Sequence, residues 1–170
     1  MLPDNFLQGV PNVHPDAFVA PGAQLSGDVR LAAGVTIWYN CVLRADLNYI
    51  AVGENTNIQD GSILHVESSR PCLIADHVIV GHCAIVHACT VEQGCLIGMG
   101  AIILSGARIG RGSIVAAGSL IREHAVVEPF SLMAGVPARL VRKVSEETLK
   151  RHFDIALKYA EAGRRHRERI

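Results

Sequence analysis

His65, His82 and His87 are the residues whose type and spacing could do chemistry together. Neutral imidazoles bind divalent transition metals at about 2.0–2.1 Å, and three of them leave a fourth position open. Such a site suits hydration or hydrolysis, because a bound cation brings the pKa of water from about 15.7 toward 7. His14, His77, His124, His152 and His166 share no such spacing and read as surface residues. Cys41, Cys72, Cys83, Cys89 and Cys95 form no CxxC pair, so they read as reduced, mostly buried thiols.

Whether three imidazoles can meet depends on what carries them, and here the carrier has a period of six. Val13, Val19, Leu25, Leu31, Ile37 and Leu43 fall in one phase, Val52, Ile58 and Leu64 in a second, Ile74, Val80 and Val86 in a third. A last phase runs from Val91 through Ile97, Ile103, Ile109, Val115, Ile121 and Val127 to Met133. Small residues recur one position on (Gly81, Gly98, Gly110) and four positions on (Ala84, Ala101, Ser113, Ser119). A large aliphatic and a small residue in each hexad suit a triangular coil, the aliphatic filling the interior and the small residue turning the corner. The alternation of a β-sandwich and the 3.6-residue period of an amphipathic helix both fail to fit.

The expectation is an all-β solenoid, with residues 1–140 as a β-helix and 141–170 as a C-terminal helix of the same unit. Residues 11–140 resemble the hexapeptide-repeat proteins, which are left-handed parallel β-helices with three hexads per coil. The left hand comes from that resemblance, since parallel crossovers are ordinarily right-handed. The period breaks between Leu43 and Val52, and again between Leu64 and Ile74, where Glu67-Ser68-Ser69-Arg70-Pro71 reads as a loop. Ser145 is placed to cap the helix, with Glu146 and Glu147 in its first turn. Leu149, Phe153, Ala156, Leu157 and Ala160 form its apolar stripe, Gly163 is the expected stop, and Arg164–Arg169 a solvated tail.

The hexad grid tests the histidines. His65 follows Leu64 and His87 follows Val86, three hexads or one full coil later. Both should stand on one face, one strand spacing of about 4.8 Å apart. His82 lies two positions after Val80, on the preceding face, and reaches the same ion only from a neighbouring chain. The count therefore predicts a three-fold trimer with metal at its subunit interfaces.

At these residues the chain resembles the γ-class carbonic anhydrases. The matching segments are Leu43-Arg44-Ala45-Asp46, Asn57-Ile58-Gln59-Asp60-Gly61, Leu64-His65-Val66, Val80-Gly81-His82 and Val86-His87. The resemblance implies a homotrimer with His65, His82 and His87 as ligands to Zn2+, with Fe2+ or Co2+ as alternatives, and CO2 and bicarbonate as substrates. It implies that Gln59 hydrogen-bonds the bound water or bicarbonate, that Asn57 shapes the pocket, and that Arg44 pairs across the boundary with Asp46 and Asp60. The founding enzyme has a glutamate where this chain has Leu47, and a longer acidic loop where Glu67 is the sole acid. Glu67 and Tyr159 are the candidate neighbours of the site.

Sixteen basic and sixteen acidic residues cancel, so nothing draws in nucleic acid or an anionic membrane. No apolar run approaches the roughly 18 residues of a membrane span, and Met1–Asn5 lacks the features of a secretion signal. The expected location is cytoplasmic. Two other functions compete with CO2 hydration: acyl-CoA thioester hydrolysis or acyl transfer, and a non-catalytic, metal-binding assembly subunit.

Overall fold

The hexad aliphatics stack in three columns, and these columns are the core. One runs Leu43–Leu64–Val86–Ile103–Ile121, a second Val52–Ile74–Val91–Ile109–Val127. The third runs Ile37–Ile58–Val80–Ile97–Val115–Met133. Every pairing along them is parallel, and all but Met133 are buried. The computed structural model describes residues 9–169, so the Met1–Asn5 segment lies outside the described residues. It is a parallel β-solenoid of about 7 turns with one C-terminal helix.

The two period breaks have different causes. Between Leu43 and Val52 there is no loop: the strand Val42–Val52 runs round a corner, and its register against Gln24–Leu31 shifts after Gly27. The second break is a turn closed by a bridge between Glu67 and Arg70. The corners also differ from expectation. The residue that turns is the third after most interior aliphatics, with φ near 65° at Gly100, Gly112 and Gly118, and 54–58° at Asn40, Asn55 and His124. Glycine and asparagine tolerate this left-handed region best. The small residues serve fit instead: Ala84, Ala101 and Ser113 fill the inside of corners, and a Cβ on Gly98 would stand 2.4 Å from the backbone nitrogen of Ala117.

The third face is closed by a hairpin in which Ala138–Lys143 returns antiparallel on the last parallel rung, Ser131–Gly135. Helix α1 (Glu146–Arg167) then lies along that face. Ser145 has extended cap geometry and acidic neighbours, but its hydroxyl meets Thr148 Oγ1 at 3.3 Å rather than a backbone N–H. The buried stripe is Leu149, His152, Ala156, Ala160 and Gly163, whereas Leu157 is 47% exposed. Expected as a surface residue, His152 is buried, its Nδ1 2.8 Å from the Gly94 carbonyl. His166 likewise packs on Trp38, ring centroids 5.0 Å apart.

Gly163 does not stop the helix. It is the point of closest approach, where a Cβ would stand 2.5 Å from Thr36 Cγ2 and 3.0 Å from Phe18 Cβ. Arg167 continues the helix and donates to the carbonyls of Pro15 and Ala17, so the expected loose tail is tied to the first coils. Gly163→Val is expected to cost about 1–3 kcal/mol through overpacking. Leu157→Ala should stay within about 0.5 kcal/mol. Urea titrations of both variants at equal m-value check the contrast. Among the described residues, no helix is long and apolar enough to cross a membrane.

Candidate metal centre

Strands Ile63–His65 and Ile85–His87 are neighbours in one sheet, and His65 and His87 are direct cross-strand partners. The spacing count holds. Their side chains leave the solenoid because Leu64 and Val86 point inward and successive residues alternate. The ring centroids are 5.1 Å apart, and His65 Nδ1 lies 3.0 Å from His87 Nε2. Each ring uses its other nitrogen to hold itself: His65 Nε2 is 3.0 Å from Asp46 Oδ1, and His87 Nδ1 is 2.9 Å from Ser105 Oγ.

Arg44 is the cross-strand partner of His65 on the other side and donates to Asp46 Oδ2. This ion pair is within one chain, whereas the resemblance implied pairing across a boundary. Asp46 is 4% exposed. Burial alone would raise its carboxyl, but hydrogen bonds from His65 and Arg44 outweigh that and hold it below the ordinary range. Burial, helped by the nearby Arg44 and His87 and opposed by Asp46, pushes His65 below its usual value. A neutral ring is the form that binds metal.

His152 is lowered too, by burial, against the Gly94 hydrogen bond. For both rings the folded state favours the neutral form. Their stabilising contribution is therefore intact above the unfolded value of about 6.5 and is lost as pH falls toward the lowered folded values. Thermal midpoints should be flat from pH 7 to 8 and drop from roughly pH 6.5 to 5. His152→Gln, which can still donate to Gly94, should flatten part of that drop.

His82 stands elsewhere, just past the strand Ile79–Val80 in the second sheet. Its Nδ1 is 2.9 Å from Asp60 Oδ2, so within the chain Asp60 orients His82. His82 lines a groove of about 460 Å³ together with Gln59, Met99, Ile155 and Tyr159. Tyr159 is thus a neighbour of His82 and Gln59, not of the His65–His87 pair. Asn57 is outside this groove: it is fully buried, its Nδ2 donating to Thr36 Oγ1 at 2.7 Å. Glu67 lies nearer the pair: it accepts from Arg70 at 3.1 Å, and the neighbouring Ser105, Arg70 and His87 hold its carboxyl below the ordinary range. The spacing argument missed Ser105, because the grid aligns Ile103 with Val86 and hence Leu104, not Ser105, with His87.

One chain therefore gathers two imidazoles with facing nitrogens and holds the third on another flank. Among the described residues no three His, Cys, Asp or Glu side chains gather as a complete metal site within the chain. The donor set fits a divalent transition metal: two imidazoles, each oriented by an oxygen partner on its far nitrogen.

The hexad solenoid places the chain among the hexapeptide-repeat proteins, and residues 88–123 match the family model described as bacterial transferase hexapeptide (six repeats). The carbonic anhydrase of Geobacillus kaustophilus is 38% identical over 153 residues, 90% of this chain and 84% of that protein. Gamma carbonic anhydrase 1, mitochondrial, of Arabidopsis thaliana is 40% identical over 168 residues, 95% of this chain. The chain spans 61% of the length of that plant relative. The crystal structure of a hexapeptide transferase family protein from Anaplasma phagocytophilum superposes with a TM-score of 0.86 at 38% identity, covering 91% of each chain. The chain belongs to the γ-class carbonic anhydrase family of hexapeptide-repeat proteins.

Proposed function

We propose that this chain is a metal-dependent carbonic anhydrase that works as a homotrimer, interconverting CO2 and bicarbonate. The observation that carries the reading is the His65–His87 pair, two ring nitrogens 3.0 Å apart with both far nitrogens anchored. The named relatives support it. A trimer is supported by an outward apolar ladder beside the pair, Val42–Ile63–Ile85–Ile102–Leu120, one side chain per rung. Ile63, next to His65, is 41% exposed, as expected of a surface that a second copy covers.

In the trimer a neighbour's His82 completes the ligand set, and Gln59 in the same groove offers its amide to the oxygens of CO2 and bicarbonate. A bound Zn2+, Fe2+ or Co2+ supplies the Lewis acid that makes water nucleophilic near neutral pH. Asp46 orients His65, while burial and the nearby Arg44 favour its neutral form. Stopped-flow CO2 hydration by protein reconstituted with zinc, or with iron(II) without air, tests the reading. Activity should fall to background in His87→Ala while the solenoid stays folded; equal rates in both would overturn it.

A second reading is acyl transfer or thioester hydrolysis, favoured by the apolar side of the groove, Leu96, Met99, Val115 and Ile155, and by the transferase name of the Anaplasma structure. Turnover of acyl-CoA thioesters without CO2 hydration would select it. Chelation that melts a trimer with neither activity would select a metal-holding assembly subunit, and fractionation of cells tests the cytoplasmic location that goes with the enzyme.

A further inference from the structure

Three histidines, His77, His152 and His166, lie in the seam between α1 and the solenoid. His152 is buried, and its Nδ1 must carry the proton it gives the Gly94 carbonyl, because a carbonyl only accepts. Leu149 and Phe153 close over the same glycine, leaving no room for a Cβ there. At the corner one coil below, His77 packs on Phe153 with ring centroids 4.6 Å apart. Its Nδ1 is buried without a hydrogen-bond partner, and its Nε2 faces the Asn55 amide at 3.5 Å.

Among the described residues neither ring has a carboxylate within ion-pairing distance, although His14, His65 and His82 each do. On α1 the nearby charges are Arg151, which opposes a second cation at His152, and Lys150 and Asp154 flanking Phe153. On the solenoid they are Glu54 and Asp76 beside His77, and Glu92 before Gly94. Asp76 accepts from the Glu54 backbone N–H at 2.8 Å, and Glu92 from Arg108 and the Arg111 backbone N–H. Protonating either ring with α1 docked therefore places a charge in the seam without a counter-ion. The two ends of the helix are held by other means. Val144 N–H donates to the Phe130 carbonyl at 2.8 Å just before α1. At the far end Gly163 seats on Phe18 and Thr36, and Arg167 donates to the Pro15 carbonyl at 2.8 Å. His166 there meets Trp38 at 5.0 Å, an aromatic contact that a cation can keep.

We propose that the Leu149–Tyr159 segment of α1 is an acid-released clasp: protonation of His152 and His77 lifts it from the solenoid while both helix ends stay attached. The segment carries Ile155 and Tyr159, the contribution of α1 to the groove that holds Gln59 and His82, so opening removes that wall. The clasp acts on the groove whichever reaction occurs there. Released into water, each ring takes up a proton near the ordinary value of about 6.5, so each favours opening by up to about tenfold per pH unit below it. Above about pH 7 neither ring favours opening, and the clasp stays shut.

Amide hydrogen exchange of the full chain, corrected for intrinsic rates, reads this opening. Between pH 7 and 5.5 the protection of Leu149–Tyr159 should fall about 10–100-fold, roughly one factor of ten for each ring. Protection of the core strands Leu96–Ile97 and Ile114–Val115 should stay constant. His152→Gln still donates to Gly94, and His77→Asn keeps the left-handed corner at φ 56°. Together they remove both titrations and should leave exchange flat over this range. In the wild type the His152 ring, followed by NMR, should stay neutral until the segment opens. A flat wild-type profile, a wild-type slope in the double variant, or core strands losing protection in step with α1 would overturn the clasp. If the double variant does not fold, the wild-type ring decides: a His152 that titrates near 6.5 while α1 remains protected sinks the proposal equally.

Discussion

Co-assembling two inactive variants, His82→Ala and His87→Ala, is expected to regenerate CO2 hydration at about one quarter of the wild-type sites. The expectation comes from where the ligands sit. His65 and His87 are cross-strand partners on one sheet, while His82 projects from the other sheet beside Asp60 and Gln59. If every site takes two imidazoles from one chain and one from the next, each single variant alone destroys every site. In randomly mixed trimers, a site is whole when the His82→Ala chain gives His65 and His87 and its neighbour is the His87→Ala chain. Each condition is met half the time. Co-expression with two different tags and tandem purification keeps only the mixed trimers, in which one site of three is whole, and metal counting per trimer would read that fraction alongside activity. No rescue from correctly assembled mixed trimers, or full activity in His82→Ala alone, would sink the shared-site arrangement.

Much of this was legible in the sequence because a solenoid converts spacing into geometry. Once Leu64 and Val86 are known to be one coil apart, the stacking of His65 on His87 follows without any knowledge of side-chain packing. The same counting placed His82 on a different face. It was blind to whatever happens off the grid. The corner position was misassigned because composition favours small residues there, whereas backbone conformation selects the third residue, which is Asn40, His124 or even Phe130 where no glycine stands. The helix stripe was rotated because apolar type was weighed above fit. His152 and Gly163 face the solenoid beside Phe153, which packs on His77, while Leu157 points away; His152 does so through a hydrogen bond to Gly94 and Gly163 through the absence of a side chain.

The polar partners of the site were legible in part. Arg44 and Asp46 were singled out, but two positions apart on one strand they leave on the same side, and an ion pair within the chain is the shortest solution. Asp60 and His82 stand at equivalent offsets, two after Ile58 and two after Val80, in rungs that pair directly, so they meet each other. Asn57 precedes an inward aliphatic on the face that α1 covers, which is why it binds Thr36 beneath the helix instead of opening onto the groove. That covering is a tertiary event with no local signature.

Asp46→Asn should uncouple the metal function from the fold. The wild-type carboxylate accepts from His65 Nε2 with one oxygen and from Arg44 with the other, a pattern an amide cannot reproduce, because its NH2 must face one of two donors. If the amide nitrogen turns toward His65, that ring is driven to the tautomer with a protonated Nδ1, and the nitrogen facing His87 stops being a ligand. Cobalt(II) affinity should then fall about 10–100-fold. The loss of folding stability should be smaller, about 1–3 kcal/mol for charge-assisted bonds to a buried acceptor, with the Arg44 share discounted because that side chain is half exposed and regains water. The pH dependence carries the sign. Because the folded carboxyl titrates below its unfolded value, its contribution is complete above about pH 4 and disappears as pH falls through the lowered value. Urea titrations should show a constant gap between wild type and variant from neutral pH down to about 4, closing below it. A gap that instead closes between pH 7 and 5 would assign the effect to His65 rather than to Asp46. Wild-type cobalt affinity in Asp46→Asn would mean that the carboxylate only holds Arg44.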